Sequence, residues 1–213
     1  MPAARGWLLL RAAGVEARAE ARASLYARVT APSARARVRW TELSARERFR
    51  DLPGAAALAD SLGARMRALR NRLNAATTPA GRAEQRAALV ALIRSSPGTA
   101  DAREAVEVLD AEFGTLTPGE ELDVARSASR NGPLSRAATG YGRALAAGLG
   151  TPGDRFRYGE LLIRQNRDKE AAVALDRVAK TTTGPVAAAA AYQRARALLG
   201  AGSRDQARAA LRT

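Results

Sequence analysis

Apolar positions recur along this chain at helical spacing from end to end. Ala102, Ala105, Val106, Leu109 and Phe113 form one stripe, which predicts an amphipathic helix over Thr99 to Phe113. Met66, Leu69 and Leu73 do the same within a basic stretch from Ala64 to Asn74. Helices are predicted over Ala3 to Ala13, Glu16 to Val29, Ser33 to Leu52, Ala55 to Leu62 and from Thr78 to Arg94. In the second half they fall at about 134–147, 152–165, 168–180, 185–200 and 203–212, after one that Thr117-Pro118-x-Glu120 opens and Asn131-Gly132 closes. Trp40, Leu43 and Phe49 are the apolar residues of the 33–52 helix, and the Trp40–Leu43 spacing places Trp40 in the core. No segment carries the alternation of a strand.

From Gly119 to Leu211 the pattern repeats. A small residue is followed twelve places later by alanine: Ala125 and Ala137, Gly159 and Ala171, Ala195 and Ala207. Three places before each first small residue stands a large one, Leu122, Phe156 or Tyr192; four places after each alanine stands another, Tyr141, Leu175 or Leu211. The repeat distance is 34 and then 36 residues. Small residues at fixed offsets let two helices cross closely while larger neighbours interlock, so the period predicts stacked helical hairpins. The expected fold is all-α, a right-handed α-superhelix or solenoid of helical hairpins. One α-superhelical domain over 1–213 is expected, basic and irregular over 1–95 and repetitive over 96–213.

These units resemble the tetratricopeptide repeat, most clearly in Tyr158-Gly159-Glu160-Leu161-Leu162 and Lys169-Glu170-Ala171-Ala172. The third unit departs from it, with Arg194 where Leu or Tyr is usual. A longer resemblance runs through Gly6 to Gly14, Leu25-Tyr26-Ala27-Arg28-Val29, Leu62-Gly63, Ala68 to Leu73 and Ala191-Tyr192-Gln193-Arg194-Ala195. In this order they look like the helical superhelix of bacterial soluble lytic murein transglycosylases, an arm that precedes a lysozyme-like catalytic domain. That resemblance implies a periplasmic protein acting on peptidoglycan glycan strands. The family's catalytic Glu is followed by Ser; this chain has twelve Glu and none precedes Ser. The resemblance therefore covers a scaffold without the catalytic centre. The chain ends at Leu211-Arg212-Thr213, inside the second helix of the third unit, which suggests a fragment of a longer protein.

Composition narrows the chemistry. There is no Cys and no His, which excludes disulfides, Cys/His zinc sites and His-dependent nucleophilic catalysis. No metal and no cofactor are expected. Gly148-Leu149-Gly150-Thr151-Pro152-Gly153 has the spacing of a dinucleotide fingerprint but follows a helix, not a strand, and reads as an interhelical turn. Glu120, Glu121 and Asp123 cluster at a helix start, where acids favour the positive dipole end, so they read as capping.

The net charge is +14, nearly all arginine, and Met1 to Ser95 holds +11 of it. A basic half attracts polyanions, and an Arg- and Ala-rich chain is also what a GC-rich genome encodes. Arg35, Arg37, Arg39, Arg46, Arg48 and Arg50 splay around one predicted helix rather than form a stripe, as do Arg65, Arg67, Arg70 and Arg72. They read as a solvated surface before a nucleic-acid site.

Hairpin arrays bind along the face lined by the first helix of each hairpin. By repeat position that face carries Arg126 and Arg130, then Phe156, Glu160 and Arg164, then Tyr192 and Arg196. Core packing is the readier role for Phe156 and Tyr192. Three functions follow: a non-catalytic arm guiding glycan strands, a stand-alone tetratricopeptide-type adaptor for a peptide of a protein partner, or an Arg-rich RNA-binding protein. The first places the chain in the periplasm, the second in the cytoplasm. No run approaches the ~20 apolar residues of a membrane span.

Overall fold

In a computed structural model the described residues, 2–211, form fourteen α-helices and no strand. They are α1 (Pro2–Val15), α2 (Ala19–Ala27), α3 (Pro32–Arg35), α4 (Val38–Arg48), α5 (Leu52–Ser61), α6 (Arg65–Ala75) and α7 (Pro79–Ser95), then α8 (Ala100–Glu112), α9 (Pro118–Asn131), α10 (Leu134–Ala146), α11 (Pro152–Arg164), α12 (Asp168–Thr181), α13 (Gly184–Gly200) and α14 (Arg204–Ala210). None is long and apolar enough to cross a membrane. The all-α expectation holds. The chain divides into two compact units, Met1–Ala88 and Leu89–Thr213, with the division inside α7.

In the first unit α1 packs on α2, α3 and α4, and α4, α5 and α6 follow in sequence. Its buried clusters include Leu10, Val29, Ala31 and Ala34, and Leu43, Ala55, Ala59 and Ala68. The helix expected over 33–52 is two helices, broken at Ala36 and Arg37. Tertiary packing explains the break. Gly6 of α1 sits so close to α3 that an added Cβ would lie 2.9 Å from the Ala31 Cβ, and a straight helix could not also deliver Leu43 to its core. Trp40 is 43% exposed, not core. The α1 side of α4 is met at Thr41, whose methyl lies near Gly14.

Several arginines of this unit are engaged with the chain itself. Arg22 is buried, its guanidinium bound to Glu42 at 3.0 Å and to the Glu16 and Ala17 carbonyls, and it lies over the Phe49 ring. Arg46 bonds Glu42 and Asp51, Arg67 bonds Glu47, Arg72 pairs with Asp60, and Arg48 reaches the Gly14 carbonyl. Arg37 lies over the Trp7 ring.

In the second unit consecutive helices pair, α9 with α10, α11 with α12, α12 with α13 and α13 with α14, and α11 also touches α13. The connections are short, so neighbours run antiparallel. The periodic small residues lie where the helices cross: Ala125, Ala137 and Ala171 are fully buried, and Ala195 and Ala207 nearly so. A Cβ on Gly159 would fall 2.6 Å from the Leu175 Cγ; one on Gly140 would fall 2.8 Å from the Glu121 carbonyl oxygen. These contacts are the physical content of the repeat. Leu122, Tyr141 and Leu175 fill the adjacent core. The third unit departs from this: Tyr192 is 57% exposed and Leu211 60%. α13 offers Ala190, Ala195, Ala197 and Leu198 to the core, a closely packed alanine face with no space for a phenol ring.

Thr117 with Glu120, and Thr151 with Asp154, each form a reciprocal capping box that starts its helix. Of the three acids read as capping α9, only Glu120 does so. Glu121 is 1% exposed and binds Arg136 and Arg143, each at 2.6 Å, while Asp123 binds Arg94. Gly148 to Thr151 form the turn that joins α10 to α11, as expected, and Pro152 and Gly153 open α11.

Candidate binding cleft on α9 and α11

Arg94, at the end of α7, donates from Nε and Nη2 to Asp123 Oδ2 of α9 at 3.1 and 2.7 Å. Arg126, almost one turn further along α9, repeats the contact onto Asp154 of α11, with Nε to Oδ1 at 2.9 Å and Nη2 to Oδ2 at 2.7 Å. Arg126 thus reaches from the first helix of the α9–α10 hairpin to that of α11–α12, and Arg94 reaches α9 from the end of α7. The arginines are 32 residues apart and the aspartates 31, a little shorter than the 34- and 36-residue repeat of the small residues. A bidentate guanidinium–carboxylate pair fixes both partners in a plane.

Asp154 has a second task. Its Oδ2 accepts from the Thr151 amide and hydroxyl, both at 2.8 Å, closing the α11 cap. With the Arg126 guanidinium the largest influence, its carboxyl is held down to about 2. Burial pushes the Tyr141 phenol up, so it stays protonated beside these pairs.

Between them lies a cleft of about 550 Å³, lined by Ile93, Arg94, Pro97, Asp123, Arg126, Ser129, Arg130, Tyr141, Asp154 and Arg157. Four guanidinium groups face two carboxylates here. Both carboxylates are already matched, to Arg94 and Arg126. Arg157 shares Glu160, one turn along α11, at 3.0 Å. Arg130 is exposed and makes no ion pair among the described residues. The cleft therefore carries surplus positive charge on Arg130, beside three arginines that carboxylates already orient.

The α7–α8 turn places Arg130. The Gly98 amide donates to Ser127 Oγ at 3.3 Å, and Asn131 Nδ2 donates to the Gly98 carbonyl at 3.2 Å. Gly98 has φ +84°, and an added Cβ would lie 2.8 Å from the Arg130 Cβ. Only glycine fits, in conformation and in space.

The positions expected on this face divide. Arg126 and Arg130 line the cleft, and Glu160 stands at its edge through Arg157. Phe156 packs against the core, in keeping with its readier role. Arg164 on α11 is exposed, and so are Tyr192 and Arg196 on α13, one turn apart, with Arg196 bound to Gln193 at 3.0 Å. These lie outside the cleft lining. Arg94, Asp123, Asp154 and Arg157 were not among the expected positions; the signal in the sequence is their own spacing of 31 to 32 residues.

Chemically the cleft is built for holding an anion. Its carboxylates are the partners of arginines, and the Asp154 carboxyl is lowered, away from the range of a general acid. Among the described residues no group of three acidic side chains could hold a metal ion. No known protein family, curated protein or solved structure matches the chain.

Proposed function

We propose that this chain is a non-catalytic binding scaffold, a right-handed superhelix of tetratricopeptide-like hairpins, whose α9–α11 cleft holds an acidic peptide segment of a protein partner. The observation that carries the reading is the Arg94–Asp123 and Arg126–Asp154 ladder beside the unpaired Arg130. Arginines already oriented by aspartates lose little side-chain freedom when a ligand carboxylate arrives. The surplus charge draws an acidic chain in and repels a basic one.

A fluorescein-labelled peptide of about ten glutamates, followed by anisotropy near physiological ionic strength, tests this. Saturable binding is expected, weakened about tenfold by Arg130→Glu. Arg204→Glu, which changes net charge equally at exposed Arg204 on α14, should leave it intact. Equal loss in both variants would reduce the binding to bulk charge and remove the cleft.

A second reading rests on the order of N-terminal motifs and repeats: the arm of a lytic transglycosylase-like protein. Peptidoglycan stem peptides end in carboxylates, the same chemistry on a different polymer. Co-sedimentation with purified murein sacculi at low salt supports it if Arg130→Glu abolishes the effect. No co-sedimentation counts against it.

A further inference from the structure

The second unit has another cleft, made by α10, α11 and α12, of about 520 Å³. Its floor is apolar: Leu145 of α10, Tyr158 of α11, and Val173 and Ala174 of α12. Val173 is 72% exposed, the most exposed large apolar side chain among the described residues. Gly142 opens the floor, since a Cβ there would come within 3.3 Å of the Tyr158 hydroxyl.

The rim is cationic. Arg155, Lys169 and Arg177 line it, and none of the three makes an ion pair among the described residues. The one acid present, Glu170, is held by Arg167 through two bonds of 2.8 and 2.6 Å. In contrast to the α9–α11 cleft, three cations here surround an apolar floor with no internal partner. Lys169, Val173 and Arg177 follow one another at four-residue spacing, a single row along α12. Such a row is matched by the row of another helix.

We infer that the α10–α12 cleft docks an acidic amphipathic helix from a partner protein. Aliphatic or aromatic anchors of that helix lie over Leu145, Tyr158 and Val173, and its carboxylates meet Arg155, Lys169 and Arg177. Charge complementarity selects this occupant: a basic helix would be repelled, and a purely apolar one would leave three cations beside it unpaired. The inference is independent of the α9–α11 reading, since no residue lines both clefts.

The probe is a fluorescein-labelled helical peptide of about 16 residues, leucines at i, i+3, i+4 and i+7 and glutamates on the flanks. Saturable binding is expected. It falls about tenfold or more with Val173→Glu and with the Lys169→Glu/Arg177→Glu pair, and stays unchanged with Arg204→Glu on α14, which lines neither cleft. These side chains are exposed, and circular dichroism verifies that the variants remain folded. A peptide with lysines in place of the glutamates should bind the double variant and not the wild type. Equal affinity for a peptide whose leucines are replaced by serine would overturn the inference, because charge alone would then suffice. So would binding indifferent to Val173→Glu. Phosphatidylglycerol vesicles that bind the wild type, lose binding with Val173→Glu and displace the peptide would assign the cleft to a membrane surface instead.

Discussion

Gly159 of α11 lies against Leu175 of α12 at a distance that admits no side chain: an added Cβ would sit 2.6 Å from the Leu175 Cγ and 2.7 Å from its Cδ2. Leu175 is fully buried, so it cannot swing aside. Gly159→Ala gains up to about 1 kcal/mol of helix propensity and incurs about 1–3 kcal/mol of overpacking. Where the full propensity gain is realised, urea unfolding should still show a net loss of up to about 2 kcal/mol. Gly119, with nothing within 4 Å of its added Cβ, is the control. Gly119→Ala should be neutral or slightly stabilising.

Asp154 links stability to pH. Its folded value of about 2 lies below the ordinary 3.8, so its contribution is fully present above pH 4 and disappears as pH falls through 2. The shift corresponds to about 2 kcal/mol at neutral pH. Asp154→Asn should therefore be less stable than wild type by about 2 kcal/mol at pH 7, with the gap closing between about pH 4 and pH 2. Urea titrations across that range read it; a gap constant with pH would mean the carboxylate charge is not what matters.

Glu121 is a buried anion held by two arginines of α10, of which Arg143 is 63% exposed and Arg136 only 18%. Removing the shared carboxylate leaves Arg136 with Asp110 alone. Glu121→Gln should cost about 3 kcal/mol, and Arg143→Ala, at an exposed partner, under about 1 kcal/mol. Comparable losses from the two would show that the pair is not a buried one.

Much of this fold was legible in the sequence where physics is local. Thr117 with Glu120 three residues on, Gly132 after α9, and the twelve-residue spacing of small residues all stand where the helices start, stop and cross. Contacts between distant positions were less visible. Glu121 and Asp123 sit at a helix start, and proximity to the dipole concealed that their partners lie 15 to 29 residues away. Trp40 and Tyr192 share helical spacing with buried neighbours, yet helices packed through Thr41 and through alanine leave no space for large rings. Of the cleft, Arg126 and Arg130 followed from repeat position; Asp154 did not, because its partner Arg126 lies 28 residues away.

Gly98 couples the α7–α8 turn to the cleft. Gly98→Ala places a methyl against the Arg130 Cβ and forces alanine to φ +84°. A loss of about 1–3 kcal/mol in stability is expected, together with weaker binding of the glutamate peptide. If binding is unchanged while stability falls, the turn does not position Arg130.

The most direct measurement is a titration of the ¹⁵N-labelled chain with the glutamate decapeptide, followed by NMR. Saturable shifts at Gly98, Ser129, Arg130 and Arg157, lost in Arg130→Glu and kept in Arg204→Glu, are the expected result. Shifts that scatter over the basic first unit, or that never saturate, would contradict a built site between α9 and α11.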